Sequence, residues 1–139
     1  PGHAGHEERG VALVEDVCER FKIPKAHRLM AVAVTRYHLM VHRAQDLRPQ
    51  KLLKLLINLD ALRRPERFSD ILLACEIDAT GRAGMADAPY PSGDYLRHAR
   101  QVANDVDVRE YVQQGLSGEP LREKIDQVRI RALADVRDI

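Results

Sequence analysis

Apolar residues recur at helical spacing along almost the whole chain, and this periodicity restricts the possible folds more than any other feature. No alternating run of β-branched residues is long enough to predict a strand. The first predicted helix shows the pattern clearly, with apolar residues at i, i+3, i+7 and i+10: Val11, Val14, Cys18 and Phe21. The sequence therefore predicts an all-α fold, an irregular bundle of about six to seven helices.

Proline and glycine residues divide this pattern into separate helices. Pro24 is expected to end the first helix, and Pro49 and Pro65 suit the first turns of the third and fourth. Gly81 is predicted to cap the end of the fourth helix. Residues 80–93, which are rich in Gly and Pro, form the longest predicted loop. The predicted helices cover about 7–22, 26–44, 49 onward, 65 to the TGR sequence, 93–106, 107–114 and 117 onward.

Composition indicates one globular unit. The chain has 139 residues, of which 45% are hydrophobic and 31% charged, which is enough for one buried core. It has no apolar run of membrane-spanning length and no signal-peptide pattern at its N-terminus, so a cytoplasmic protein is expected. Cys18 and Cys75 lie in apolar helical patterns without CxxC spacing, which predicts buried thiols rather than a disulfide or a zinc site.

The charge balance limits how the chain can contact nucleic acid. Its net charge of +1 gives no overall positive field, and its 4% aromatic content argues against stacking of single-stranded bases. Contact with RNA must then come from a local basic patch. Acidic residues are interleaved with the basic ones, so a solvated charged face is the alternative. The candidate RNA-binding residues are Lys51, Lys54, Arg63, Arg64, Arg67, Arg122, Arg129 and Arg131.

The second predicted helix, 26–44, is apolar around most of its circumference, which predicts a central and surrounded position. Its remaining narrow stripe holds His38 and His42, one turn apart. Two neutral imidazoles at i and i+4 can turn ring nitrogens toward one divalent cation. If the first two helices pack antiparallel, His6 and His3 approach the same end. These four histidines are the candidate metal ligands, and the alternative is a solvated histidine pair beside a frayed terminus.

Six stretches of the sequence together resemble a known family. They are, in order, GHEERGVALVEDVCERFKIP, RYHLMVH, LRPQKLLKLL, DALRRPERF, EIDATGR and GLSGEPLREKIDQVRIRAL. This succession resembles the carboxy-terminal part of the bacterial multifunctional CCA proteins, which are CCA-adding tRNA nucleotidyltransferases fused to an HD-type phosphohydrolase domain. The resemblance covers essentially the whole chain. It implies the later helices of an HD-domain-like bundle for 1–79 and a C-terminal helical extension packed on them for 80–139.

The resemblance also implies a function for the complete protein. Such a protein adds CTP and ATP to tRNA 3′ ends. Its HD domain hydrolyses phosphate esters, including 2′,3′-cyclic phosphates and 2′-phosphates, with a divalent metal such as Mg²⁺ or Ni²⁺. The expected partners are tRNA and an amino-terminal nucleotidyltransferase domain, with no membrane. The oligomeric state stays open, and a homodimer is one of the alternatives.

Two departures from the family pattern limit what this chain is expected to do alone. The HD dipeptide and the nucleotidyltransferase domain are expected upstream of Pro1, so GHEERG is expected to lack the helix before it. Related proteins often read His-Asp where this sequence has His38 followed by Leu39, and leucine cannot bind a cation. Asp60 and Asp78 are expected to be helix-end hydrogen-bond acceptors.

No catalytic residue is therefore predicted, the chain alone is expected to be inactive, and whether it binds a metal stays open. Two alternatives remain. The first is a complete metal phosphohydrolase served by the four histidines. The second is a non-catalytic helical module that positions tRNA or supports structure.

Overall fold

Within the residues that the computed structural model describes, 5–82 and 88–138, all regular secondary structure is helical. Six α-helices in these ranges have ten or more residues and one has five, which confirms the predicted all-α fold. The α-helices are α1 (His6–Arg20), α2 (Lys25–His42), α3 (Pro49–Asn58), α4 (Pro65–Arg82), α5 (Pro91–Asn104), α6 (Arg109–Gln113) and α7 (Gly118–Ala134). Short 3₁₀ turns follow α2 and α7 at Ala44–Asp46 and Asp135–Asp138.

The helix boundaries around Gly81 differ from the prediction. α4 continues through Gly81 to Arg82, so the predicted glycine cap is wrong. Glycine lowers helix stability by only about 1 kcal/mol relative to alanine, so it does not by itself end a helix. α5 begins at Pro91, two residues before its predicted start, because proline suits the first helical position. Of the predicted loop 80–93, residues 83–87 lie outside the described residues.

The end of α1 also differs from the prediction. The helix ends at Arg20, and Phe21 beyond it leaves 72% of its surface exposed. Lys22 then adopts a left-handed φ of 52°, which turns the chain toward α2. The i+10 position of the apolar pattern therefore lies outside the regular helix, which ends two residues before its predicted end.

α2 is central but not surrounded. It contacts α1, α4 and α5, but these helices leave part of its surface open, so the predicted surrounded position is wrong. Among its residues only Val41 is fully buried, while Leu29 and Leu39 are 39% and 41% exposed. The apolar circumference of α2 thus exceeds the area that the described helices cover.

The buried core lies where α2, α3, α4, α5 and α7 meet. Cys18 and Cys75 are buried free thiols, as predicted. Residues from before and after 83–87 share one apolar cluster, while the assignment of 1–79 and 80–139 to two units stays a prediction. None of the helices in the described ranges is both long and apolar enough to cross a membrane. The largest fully buried side chains are Val41, Leu52, Leu55, Leu56, Leu59, Phe68, Ile71, Leu72, Cys75, Leu96 and Leu133.

Candidate functional site

The two histidines near the end of α2 face each other across one helical turn. The ring centroids of His38 and His42 lie 5.7 Å apart, and the two rings are nearly perpendicular at 83°. Both side chains are half-buried. The predicted histidine stripe is therefore present on α2. The hydrogen bonds of each imidazole determine whether its nitrogens are available to bind a cation.

Both ring nitrogens of His42 have partners on other elements. Nε2 lies 3.1 Å from Oδ2 of Asp78 on α4, and Nδ1 lies 2.5 Å from the Tyr90 hydroxyl just before α5. A carboxylate only accepts hydrogen bonds, so in the neutral ring Nε2 donates to Asp78 and Nδ1 accepts from Tyr90. A cation at His42 would have to replace one of these contacts.

His38 is arranged differently. Its Nδ1 lies 2.9 Å from the Val34 carbonyl oxygen and 3.2 Å from that of Thr35. Carbonyl oxygens only accept, so Nδ1 carries the proton and donates to them. Nε2 of the neutral ring then carries the lone pair. Histidines that bind metals are commonly oriented by such a second bond to a carbonyl.

α1 packs antiparallel to α2, as predicted. The Glu8 carboxylate accepts two hydrogen bonds from the Arg36 guanidinium, at 2.9 Å from Nε and 3.2 Å from Nη2. A Cβ on Gly10 would lie only 2.9 Å from Cγ2 of Thr35, so glycine permits this close approach. The start of α1 thus lies beside the later turns of α2.

The described histidines do not complete a metal site. His6 is exposed at the first position of α1, and His3 lies outside the described residues. Within 5–82 and 88–138, no group of three His, Cys, Asp or Glu side chains is arranged to hold a metal ion. Metal binding by His3, His6, His38 and His42 therefore stays a prediction.

Two groups close to the Asp78–His42 pair, the Cys75 thiol and the Tyr90 hydroxyl, are held in their protonated forms. Burial, reinforced by the nearby Asp78 carboxylate, raises the pKa of the Cys75 thiol from 9.0 to about 12. Burial also raises the pKa of the Tyr90 hydroxyl, with further contributions from Cys75, Glu76 and Asp78. Tyr90 therefore keeps its proton and donates a hydrogen bond to His42, and Cys75 is not a thiolate nucleophile at neutral pH.

Five of the eight basic candidates line two cavities beside residues 59–64, the connection between α3 and α4. The chain turns there at Asp60, which adopts a left-handed φ of 55°. Its Oδ2 accepts a hydrogen bond of 3.1 Å from Nη1 of Arg67 in α4. Asp60 is thus an acceptor near a helix end, as predicted.

Two cavities border this connection, and Asp60 and Arg63 line both of them. The Arg122 cavity, of ≈ 440 Å³, is completed by Ile57, Leu62, Arg122, Asp126 and Arg129. The Lys25 cavity, of ≈ 490 Å³, is completed by Lys25, Ala26, Leu29, Arg64 and Arg67. Together the cavities contain five of the eight predicted RNA contacts: Arg63, Arg64, Arg67, Arg122 and Arg129.

The three other predicted RNA contacts lie outside both cavities. Lys51 and Lys54 are exposed on α3. Arg131 is exposed on α7 and interacts electrostatically with Tyr111. Since Arg131 follows Arg129 by two residues, it lies on a different face of the helix.

Two arginines of the Arg122 cavity already have partners. Arg122 pairs with Glu119, and Arg129 donates from Nε to the Ala103 carbonyl at 3.0 Å. Burial lowers the pKa of Arg129. The Arg122 cavity therefore presents less free positive charge than its lining residues suggest.

Comparison with curated proteins gives consistent matches. The chain is 52% identical to the multifunctional CCA protein of Nitrosococcus oceani over 133 residues, which is 96% of this chain and 33% of that protein. It is 49% identical to the multifunctional CCA protein of Thioalkalivibrio sulfidiphilus over 139 residues, 99% of this chain and 34% of that protein. The chain is a homologue of multifunctional CCA proteins. This confirms the resemblance found in its motifs.

The homology has a defined extent. The multifunctional CCA protein of Alkalilimnicola ehrlichii, 51% identical over 134 residues, is likewise matched over 96% of this chain and 32% of its own length. The chain thus spans about a third of the length of the multifunctional CCA proteins it matches. No family model and no solved structure matches the chain.

Sequence reasoning missed three residues of these sites. Asp78 was expected at a helix end, but α4 continues a full turn beyond it and Asp78 pairs with His42. Tyr90 and Lys25 were not singled out. Local periodicity gave no signal for any of these contacts, because they join residues that are distant in sequence.

Proposed function

We propose that this chain is a tRNA-contacting helical segment of a CCA-adding tRNA nucleotidyltransferase. The observation that carries the proposal is its identity of about one half with multifunctional CCA proteins over nearly its whole length. In this proposal the activity belongs to the complete protein. The remaining two thirds of such a protein supply the nucleotidyltransferase domain, and this segment helps to position tRNA in the cytoplasm.

The distribution of basic residues supports a tRNA contact at one surface. The chain as a whole is almost neutral, with 22 basic and 21 acidic residues. Five arginines nevertheless line the two cavities at the α3–α4 connection. An RNA backbone carries one negative charge per phosphate, and guanidinium groups bind phosphate with two parallel hydrogen bonds. The α3–α4 connection is therefore the proposed contact surface.

The test is tRNA binding by the 139-residue chain as a function of salt. We expect weak binding at low ionic strength that falls steeply as salt rises, because phosphate contacts release counterions. Arg63→Gln/Arg64→Gln should weaken binding and reduce the salt dependence. The matched control is Arg97→Gln/Arg109→Gln, which removes the same charge from exposed positions of α5 and α6. Absence of binding at low salt, or equal effects of both variants, would refute the proposed surface.

The phosphohydrolase activity implied by the resemblance has less support from the described residues. They provide one oriented imidazole, His38, while both nitrogens of His42 are occupied and Leu39 supplies no ligand. This set does not fit a divalent metal by itself, and Mg²⁺ prefers oxygen ligands. We propose that any phosphohydrolase activity requires residues beyond these and that the chain alone is not a competent phosphohydrolase.

A further inference from the structure

The Lys25 cavity has an excess of unpaired positive charge. Four cationic side chains line it, and Asp60 is the one carboxylate among its lining residues. Asp60 is already bonded to Arg67 at 3.1 Å. Among the described residues, the side chains of Lys25, Arg63 and Arg64 have neither a hydrogen bond nor an ion pair. Three cations are therefore left to interact with a ligand or with solvent.

Arg63 and Arg64 are distinguished by their shared cavity rather than by the lack of an ion pair, because among the described residues Arg28, Arg43 and Arg48 also have none but do not line it. Arg20, Arg36, Arg97, Arg109 and Arg122 each pair with a carboxylate on the surface. The α3–α4 connection instead places Arg63 and Arg64 side by side, with Asp60 turned to Arg67. Like charges in one concavity repel each other, so the folded state is stabilised when an anion occupies it.

The chemistry of the lining favours a phosphate group. Arginine presents a planar fork of donors that matches two oxygens of a phosphate, and lysine adds a mobile point charge. The first turn of α2 also borders the cavity through Ala26 and has neither a side-chain cap nor an acidic residue. The cationic side chains remain the main determinant.

We propose that the Lys25 cavity binds one phosphate group of an RNA backbone, with Lys25, Arg63 and Arg64 as its ligands. Arg63 also lines the Arg122 cavity, so one arginine joins the two binding surfaces. An RNA strand that crosses the α3–α4 connection would therefore meet both. The source of the phosphate rests on the proposed function, whereas the existence of the anion site does not.

The experiment combines two measurements on the 139-residue chain. The first is titration with inorganic phosphate, followed by NMR of the backbone amides. We expect saturable shifts at Lys25, Ala26 and Arg64 that Lys25→Gln removes. The second is tRNA binding by Lys25→Gln, with Lys22→Gln as the matched control, because Lys22 carries the same charge three residues away and does not line the cavity.

For tRNA, we expect Lys25→Gln to weaken binding about tenfold, the effect of one lost charge-assisted hydrogen bond, and to lower the salt slope by about 0.7 to 0.9. Lys22→Gln should change both values less. The losses from Lys25→Gln and Arg64→Gln should be less than additive in the double variant, since both side chains hold one phosphate. A structural role for Lys25 would not alter the salt slope in this way.

The outcomes separate this inference from the proposed function. If tRNA binds and Arg63→Gln/Arg64→Gln weakens it, but Lys25→Gln behaves like Lys22→Gln, the cavity assignment is wrong and the proposed function stands. If tRNA does not bind, the proposed function fails, and the phosphate titration alone decides the anion site: absence of shifts overturns it. If the Lys25 effect disappears when the RNA 5′ phosphate is removed, a terminal phosphate replaces the backbone assignment.

Discussion

Two tyrosines near the start of α5 should respond in opposite ways to loss of their hydroxyl groups. The Tyr90 hydroxyl donates to Nδ1 of His42, whereas the Tyr95 hydroxyl is buried without a hydrogen-bond partner among the described residues. Tyr90→Phe removes a hydrogen bond and leaves an imidazole nitrogen unsatisfied. Tyr95→Phe removes only a buried polar atom that gains nothing in the folded state. The chemical change is the same in both variants, so each controls for the other.

The magnitudes follow from burial. A buried group that loses its partner destabilises a protein by about 1 to 3 kcal/mol. The His42 side chain is 22% exposed, so water replaces part of the lost bond and we expect about 1 kcal/mol for Tyr90→Phe. That loss corresponds to a fall in Tm of about 3 to 5 °C for a chain of this size. Tyr95→Phe should be neutral or stabilise the fold by up to about 1 kcal/mol.

The assay is urea unfolding at pH 7, followed by far-UV circular dichroism. Both variants should keep the m-value of the parent chain, because neither changes the surface exposed on unfolding. Equal destabilisation by the two substitutions would show that ring packing, not the hydroxyl, sets the effect. A neutral Tyr90→Phe would refute the conclusion that the contact with His42 stabilises the fold.

The remaining predictions concern packing, thiol chemistry and hydrolysis. Gly10→Ala should lower the free energy of unfolding by about 1 kcal/mol, because the added Cβ meets the stiff Thr35 side chain. Gly81→Ala should raise the free energy of unfolding by about 0.5 to 1 kcal/mol, because the added Cβ lies 4.0 Å from Cγ2 of Ile77 and alanine favours the helix. Urea unfolding measures both changes. The raised pKa of Cys75 means that folding favours the protonated thiol. Its contribution to the free energy of unfolding is therefore complete below pH 9 and is lost as the pH rises toward about 12. Alkylation of the thiol at pH 8 that is faster than unfolding would contradict this prediction. The chain should not hydrolyse a 2′,3′-cyclic nucleotide with Mg²⁺, and Ni²⁺ or Zn²⁺ should bind at most loosely at His38 and His42; turnover by the bare chain would show that its metal site is complete. In the full-length protein, hydrolysis that appears only with Leu39→Asp would assign the loss to Leu39.

The helices could be predicted because their signals are local. The periodic apolar residues and the prolines at the first positions of α3, α4 and α5 determine most boundaries without reference to the rest of the chain. The predicted helix boundaries were wrong where the conformation of a residue depends on its contacts with other parts of the chain. Gly81 is compatible with either a cap or a helix interior, and nothing in its immediate sequence decides between them.

The candidate sites were less accessible to sequence analysis. The contacts of His42 join residues 36 and 48 positions apart, and no periodic pattern predicts such pairs. The gathering of Arg63 and Arg64 with Lys25 depends on the left-handed turn at Asp60, which is uncommon for a residue other than glycine. Residue types therefore indicated the candidate basic groups, and the fold shows which of them lie together.

The contacts of His42 also have a consequence for sequence variation. Asp78 lies before residues 83–87 and Tyr90 lies after them, yet both form hydrogen bonds with the imidazole of His42. The His42 imidazole therefore holds α4 and the residue before α5 together. A single substitution of His42 should therefore act on both flanks at once, although Asp78 and Tyr90 are separated in sequence.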